Sequence, residues 1–390
     1  YFFFGEIIMA RCDRIYFAVQ QLAIAREGSS TYTAVKGAQT LSLGLDVPLQ
    51  EIFELGKLEV YQQLEDLPDT NVTVDKVLDG NPLIYHLATR DATTPTLAGR
   101  ANARCSLALS IFDSTNDAAS GVPEFTVQMT GMYYQNISYT FSVGDAFRES
   151  IGFIGNDILV SNDANILNAT DQARSTGITV NGQFTGVQDP PDGVNRKQHL
   201  IFAYDAASLD SNGQVAEPDA TILPSIVDGI SNSGTNEFVD NAYESNVQSI
   251  TVSANVTRER TDQLGTLEPV CRYIQFPVEV TTEIQVVPRS HGLVSATANG
   301  ILNTGNSACW NGDMNLKNHT IRIASCEGTR IYLGKKNKLQ SLNYSGGDAG
   351  GGSVNVSYTF RTFNDFTVIH DADPHSSGST WWTNRASFLL

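Results

Sequence analysis

The stretch Gln39-Thr-Leu-Ser-Leu-Gly-Leu-Asp-Val47 decides the fold. Leu41, Leu43, Leu45 and Val47 alternate with polar or small residues, the period of a β-strand with one buried face. The pattern returns 209 residues later in Gln248-Ser-Ile-Thr-Val-Ser-Ala-Asn-Val256, with Ile250, Val252, Ala254 and Val256 in the apolar places. A slip of one residue would turn the buried face outward, so the shared register is informative. Without a gap, Leu55-Gly56-x-Leu58-Glu59 then meets Leu264-Gly265-x-Leu267-Glu268, and Leu67-Pro68 meets Phe276-Pro277.

Outward from this pair the repeat continues. Asn71–Val77 and Val278–Val286 each read as a second strand. Asp79–Ala88 and Ser290–Ala298 read as short helices, with Asp79 and Ser290 as N-caps and Pro82 in an early helical position. Asn136-Ile-Ser-Tyr-Thr-Phe141 is answered by Asn355-Val-Ser-Tyr-Thr-Phe360, and Phe147 by Phe366, at an offset of 219. Further strands are expected at about 103–112, 124–130 and 135–142, and at about 319–325, 329–333, 338–344 and 354–361. The chain is read as a tandem duplication. Its fold class is mainly β, an antiparallel barrel or sandwich in each copy with one short flanking helix. The expected organisation is an N-terminal arm and first strand (1–30), a first domain (31–155), an acidic insert (156–245), a second domain (246–370) and an aromatic C-terminal tail (371–390). The insert carries turns at Asp189–Gly193 and Asp210–Gly213 and one buried strand at Leu200–Tyr204.

Composition bounds the function. The chain has 390 residues and a formal net charge of −17. Gripping nucleic acid needs basic surface to neutralise phosphates, so this balance speaks against a nucleic-acid binder. Roughly a dozen acidic residues against three basic ones put about half of the excess in the insert. The five cysteines (Cys12, Cys105, Cys271, Cys309, Cys326) are odd in number and lack metal-like spacing, and read as free thiols. No apolar run approaches the ~20 residues of a membrane-spanning helix. Met9-Ala10-Arg11 reads as a natural start, which would set residues 1–8 apart.

Chemistry is hard to find. There is no phosphate-binding loop, zinc-protease helix, serine-hydrolase elbow or dinucleotide fingerprint. The Gly346–Gly352 run reads as a hairpin tip, and His370-Asp-Ala-Asp-Pro-His375 as a solvated tail rather than a metal site. No catalytic, cofactor-binding or metal residue is assigned, and no enzyme activity is expected. The tail residues Trp381, Trp382 and Phe388–Leu390 are apolar enough to dock on their own domain or on a neighbour. Asn-x-Ser/Thr at Asn71, Asn136, Asn168, Asn255, Asn318, Asn343 and Asn355 keeps open a secreted β-sandwich adhesin or glycan-binding protein. The odd cysteine count speaks against it.

The repeated unit, in Gln39–Val47, Glu51–Gly56 and Leu67–Val77, resembles the tail tube proteins of tailed bacteriophages, specifically those with two tube domains fused in one polypeptide. The resemblance covers both repeats and rests on element order rather than on a catalytic motif. It implies a structural virion protein located in the tail and assembled in the host cytoplasm. Inner sheets would join side by side, so that a homotrimer forms a pseudo-hexameric ring, and rings stack around a channel for genome ejection. Partners would be further copies of the chain, other tail proteins at the tube ends, and viral DNA passing through without specific binding. Channel-facing candidates are Ser42, Asp46, Thr73, Asp75, Asn255, Glu279 and Thr281, with no arginine among them. The connections 48–66 and 257–275 would be arms reaching an adjacent ring, with Glu51, Phe53, Glu54, Arg258, Arg260 and Asp262 as contacts; the opposed charges at Glu51 and Arg260 could instead let one arm meet the other. A baseplate hub or terminator ring is the alternative within the same resemblance.

Overall fold

The computed structural model describes residues 15–92, 94–112, 118, 123–161, 179–181, 193–202, 247–266, 269–287, 302–303, 315–316, 321–325, 327–334, 336–346 and 354–370. The chain is mainly β and antiparallel, as its alternation predicts. In the first half lie β1 (Gln20–Arg26), β2 (Thr31–Ala34), β3 (Ala38–Asp46), β4 (Leu49–Phe53), β5 (Val60–Glu65), β6 (Asp69–Val77), α1 (Ile84–Ala88), α2 (Leu97–Arg100), β7 (Cys105–Ile111), β8 (Phe125–Ser142) and β9 (Arg148–Gly155). The expected insert contributes β10 (Leu159–Ser161), β11 (Thr179–Asn181) and β12 (Leu200–Phe202), which pair with β8, β2 and a later strand respectively. The second half holds β13 (Val247–Asn255), β14 (Arg258–Thr261), β15 (Cys271–Ile274), β16 (Glu279–Val286), β17 (Leu302–Asn303), β18 (Asn315–Leu316), β19 (Arg322–Ser325), β20 (Arg330–Tyr332), β21 (Lys338–Ser345), β22 (Asn355–Phe363) and β23 (Thr367–Ile369).

The central feature is a run of antiparallel strands in the order β3-β6-β9-β8-β13-β16-β22-β21. It consists of two four-stranded units, β3-β6-β9-β8 and β13-β16-β22-β21, that abut along β8 and β13. Their registers correspond. Leu41 opposes Val74 as Ile250 opposes Ile284, and Ile151 opposes Ile137 as Tyr358 opposes Leu342. The bulges correspond too. One extra residue interrupts β3 at Gln39 and β13 at Gln248, and another interrupts β8 at Gln135 and β21 at Gln340. Each bulge adds local bend and twist, so the two units curve at the same places.

One face of this sheet is apolar and buried, carrying Val72, Val74, Ile137, Tyr139, Ile151, Phe153, Ile250, Val252, Val280, Ile284, Tyr358 and Phe360. On it sits a single core cluster fed by both halves. α1 lies within that core, and Tyr85 meets Tyr134 and Phe366 edge-on. Strand β23 of the second half reaches α1, where His86 Nε2 lies 3.0 Å from the Val368 carbonyl. β12-β19-β20-β23 form a small sheet on this side, and β11-β2-β1-β7 continue from the first part of β8.

Five expectations change. The separate strands at 124–130 and 135–142 are one strand, β8, which pairs with β7 up to Met132, with β9 from Tyr133 and with β13 from Asn136. Asp79 does not cap α1; it pairs with the buried Lys76, and the helix starts at Ile84, where Glu149 of β9 accepts the backbone N–H groups of Ile84 and Tyr85. Asn136–Phe141 and Asn355–Phe360 occupy different places in the sheet, because β8 corresponds to β21 while β22 corresponds to β9. Their near-identity reflects a shared alternation, with Ile137, Tyr139 and Phe141 buried as Val356, Tyr358 and Phe360 are. His370, read as the start of a solvated tail, is buried with its Nε2 2.8 Å from the Glu327 carboxylate. Both described α-helices fall in the first half. The helix expected at Ser290–Ala298, the turns at Asp189–Gly193 and Asp210–Gly213 (apart from Gly193), Ala203–Tyr204, the Gly346–Gly352 run beyond Gly346, the 371–390 tail and residues 1–8 lie outside the described residues.

Candidate assembly interface

The two ends of the eight-strand run are open among the described residues: β3 pairs with β6 alone and β21 with β22 alone. Between the units, the same two kinds of edge meet. Ile250 opposes Phe141, Val252 opposes Tyr139 and Ala254 opposes Ile137, and the Val256 N–H reaches the Gln135 carbonyl at 2.7 Å. Transferring register positions from one unit to the other, Leu43 and Leu45 stand where Val252 and Ala254 stand, and Leu342 and Tyr344 where Ile137 and Tyr139 stand. Val252, Ala254, Ile137 and Tyr139 are at most 1% exposed, whereas Leu43, Leu45, Leu342 and Tyr344 are 39%, 48%, 41% and 58% exposed. Identical strand positions are thus dry inside the chain and wet at its ends.

The connections 48–66 and 257–275 are hairpins, β4–β5 and β14–β15. Their tips share a backbone conformation, with Gly56 at φ +93° and Gly265 at φ +91°, a region that only glycine enters without strain. They differ in attachment. β4–β5 is exposed along its length, and Leu49, Phe53, Leu55, Leu58 and Tyr61 meet solvent. β14–β15 is sutured to the first unit by three arginines. Arg258 lies over the Tyr133 and Tyr134 rings at 4.6 and 4.9 Å and donates to the carbonyls of Tyr134 (2.9 Å) and Ala101 (3.0 Å). Arg272 bonds Asp69 and Asn156. Arg260 reaches Asp66, at the foot of the other hairpin, at 3.2 Å, and Asp262 at 2.9 Å. A backbone N–H from Leu67 and the Arg260 guanidinium hold the Asp66 carboxyl below the usual range.

Of the residues singled out from sequence, Ser42, Asp46, Thr73, Asp75, Asn255, Glu279 and Thr281 all fall on the outward, polar face of the sheet: Ser42 opposes Thr73, and Asn255 and Ser253 lie beside Glu279 and Thr281. Glu51, Phe53 and Glu54 project on β4–β5 and its turn. Arg258 is engaged with the chain's own body, while Arg260 and Asp262 pair with one another. Sequence reasoning missed Arg148, Lys338 and Arg361, which share the polar face; Arg361 pairs with Glu279. Against Asp46, Asp69, Asp75, Glu279 and Glu283 they leave that face mildly acidic, and most of the remainder is Ser, Thr and Asn. The sequons at Asn71, Asn136, Asn255, Asn343 and Asn355 lie on this face as well. An alternating strand written in Asn, Ser and Thr spells that signal as a by-product.

No family model matches the sequence. No curated protein matches it either. Solved structures do. The cap of the anti-feeding prophage is 12% identical, with 38% of this chain and 91% of that chain covered at a TM-score of 0.28. A chain of the PVC extracellular contractile injection system, from its sheath–tube complex in the extended state, is 10% identical over 38% of this chain and 92% of that one, at 0.27. A chain of the PVC sheath/tube terminator is 14% identical over 38% and 98%, at 0.27. The structural neighbours are parts of tail-like particles.

Proposed function

We propose that the chain is a duplicated structural subunit of a phage-like tail tube, a homotrimer whose six sheet units close into a ring around a channel for genome delivery. The observation that carries this reading is the contrast between the inner seam and the open ends. The chain already joins unit to unit along β8 and β13, and it presents the same two edges, uncovered, at β21 and β3. Pairing β21 of one copy with β3 of the next would bury Leu43, Leu45, Leu342 and Tyr344 as their counterparts are buried. Closing the sheet also removes its edges, the sites where stray strands add. This is a heterologous contact, and such contacts close into rings when the rotation per copy allows. The matched registers and bulges support the duplication and equal curvature of the units.

Three copies supply twenty-four strands; at ~4.8 Å spacing and a tilt of ~40° they enclose a barrel roughly 48 Å across at the backbone. That leaves room for a nucleic-acid duplex past the side chains. The lumen would be the polar face, with Ser42, Asp46, Thr73, Asp75, Asn255, Glu279 and Thr281 turned towards it. A mildly acidic, hydroxyl-rich wall lacks the cationic surface that holds phosphates by counterion release, so DNA passes without sticking. β4–β5 and β14–β15 would be the arms. The role is structural rather than enzymatic, in a virion tail assembled in the host cytoplasm, with other tail proteins at the tube ends.

Electron microscopy of the purified chain tests the reading. Three-subunit rings, stacked or single, with the polar face inward are expected; stacks mark a tube and single rings a hub or terminator. Dispersed monomers at high concentration, or rings with the polar face outward, would overturn it.

A further inference from the structure

The two arm hairpins carry opposite chemistry on the same face. Directly opposed residues of an antiparallel pair share a face. In β14–β15, Arg258 opposes Ile274 and Arg260 opposes Arg272. In β4–β5, Leu49 opposes Glu65 and Glu51 opposes Gln63, and every one of these pairs is related to its counterpart by the same 209 residues. The basic face of β14–β15 is spent inside the chain, on Tyr133, Tyr134, Asp66 and Asp69 of the first unit. Among the described residues, the acidic face of β4–β5 has no comparable partner.

The surface that corresponds to Tyr133 lies on the second unit. Tyr133 opposes Ile154 as Lys338 opposes Arg361, and Leu339 follows as Tyr134 does. Lys336 and Lys338 are exposed there. Resting on the ring reading above, we infer that the seam between copies is charge-swapped relative to the seam within a copy: the Glu51/Glu65 face of β4–β5 docks on the Lys336/Lys338 rim of the next copy's second unit. Leu49 takes the place of Arg258 and packs on Leu339. The exchange gives pairing rules. A first-unit arm on a first-unit rim would set acid against acid, and a second-unit arm on a second-unit rim would set arginine against lysine, so only alternating order is attractive. Like-charge juxtaposition is a common device for excluding wrong partners.

The test uses the full chain and three variants, read by mass photometry and by circular dichroism of the dissociated chain. Glu51→Lys with Glu65→Lys, and separately Lys336→Glu with Lys338→Glu, are each expected to raise the concentration needed for ring formation at least tenfold while leaving the dichroism unchanged. All four substitutions together are expected to restore assembly to near the original concentration. Wild-type rings should also need more protein at 0.5 M salt than at 0.05 M, as screened ion pairs require. Folded double variants that assemble like the wild type, or a quadruple variant no better than either double, would overturn the swapped seam. A wild-type chain that never forms rings would instead overturn the ring.

Discussion

Glu149 shows how far a single side chain can depart from its sequence appearance. It occupies a core-facing position in β9, fully buried, and accepts the N–H groups of Ile84 (2.7 Å) and Tyr85 (3.1 Å) and the Tyr139 hydroxyl (2.9 Å). Burial pushes its carboxyl up, and these hydrogen bonds offset only part of the rise. A carboxyl raised on folding binds more protons in the native than in the unfolded chain. Its contribution is therefore greatest below the ordinary glutamate range and declines as pH rises through the raised value. Glu149→Gln should flatten that decline in chemical denaturation measured from pH 4 to 8. Glu149→Ala should cost about 2–4 kcal/mol, because two buried N–H groups lose their acceptor. Arg258→Ala should cost about 1–3 kcal/mol by leaving the Tyr134 and Ala101 carbonyls without this donor, and hydrogen exchange should quicken across β14–β15. Nothing in the sequence marks either residue for these duties, since both depend on strands distant in the chain.

Among the elements, β3, β6, β13 and β16 are legible because polar and apolar residues alternate through most of each, although Thr70, Lys76 and Thr282 stand at core-facing positions. β9 is not. Its core-facing positions read Glu149, Ile151, Phe153 and Gly155, so a buried charge and a glycine hide the period. The near-identity of Asn136–Phe141 and Asn355–Phe360 misleads for the opposite reason: any strand with aromatic residues inside and Ser or Thr outside converges on such a phrase. The edges could not be read at all, because an edge is a property of the assembled sheet. The proposed closure makes a register prediction at this scale. By the pattern of Ala254 against Ile137, Leu45 of one copy should oppose Leu342 of the next. Directly opposed Cβ atoms lie ~4.5–5.5 Å apart, near the range a disulfide spans. A chain carrying Leu45→Cys and Leu342→Cys should run as a covalent trimer on non-reducing gels after oxidation, whereas Leu45→Cys with Asn343→Cys should not.

For the whole molecule, the net charge of −17 is not spread evenly over function. The polar sheet face is close to balanced, so a few substitutions should change what it tolerates. If the chain forms the proposed ring, it should ignore fluorescent duplex DNA at 0.15 M salt, and Ser42→Arg with Thr73→Arg and Thr281→Arg should make it retain DNA, with retention lost at higher salt. In the proposed ring, the pairing of one kind of edge at β3 with another at β21 would also govern how assembly proceeds in time. A linear pair of chains ends in the same two unsatisfied edges as one chain, and so does a linear triplet. Only closure removes both ends, and it does so without bringing in another molecule. Partial assemblies should therefore be scarce, and the population should divide between single chains and finished rings. Where the bend at Gln39, Gln135, Gln248 and Gln340 falls short, the same ends would add copies indefinitely, giving an open helical filament in place of a ring.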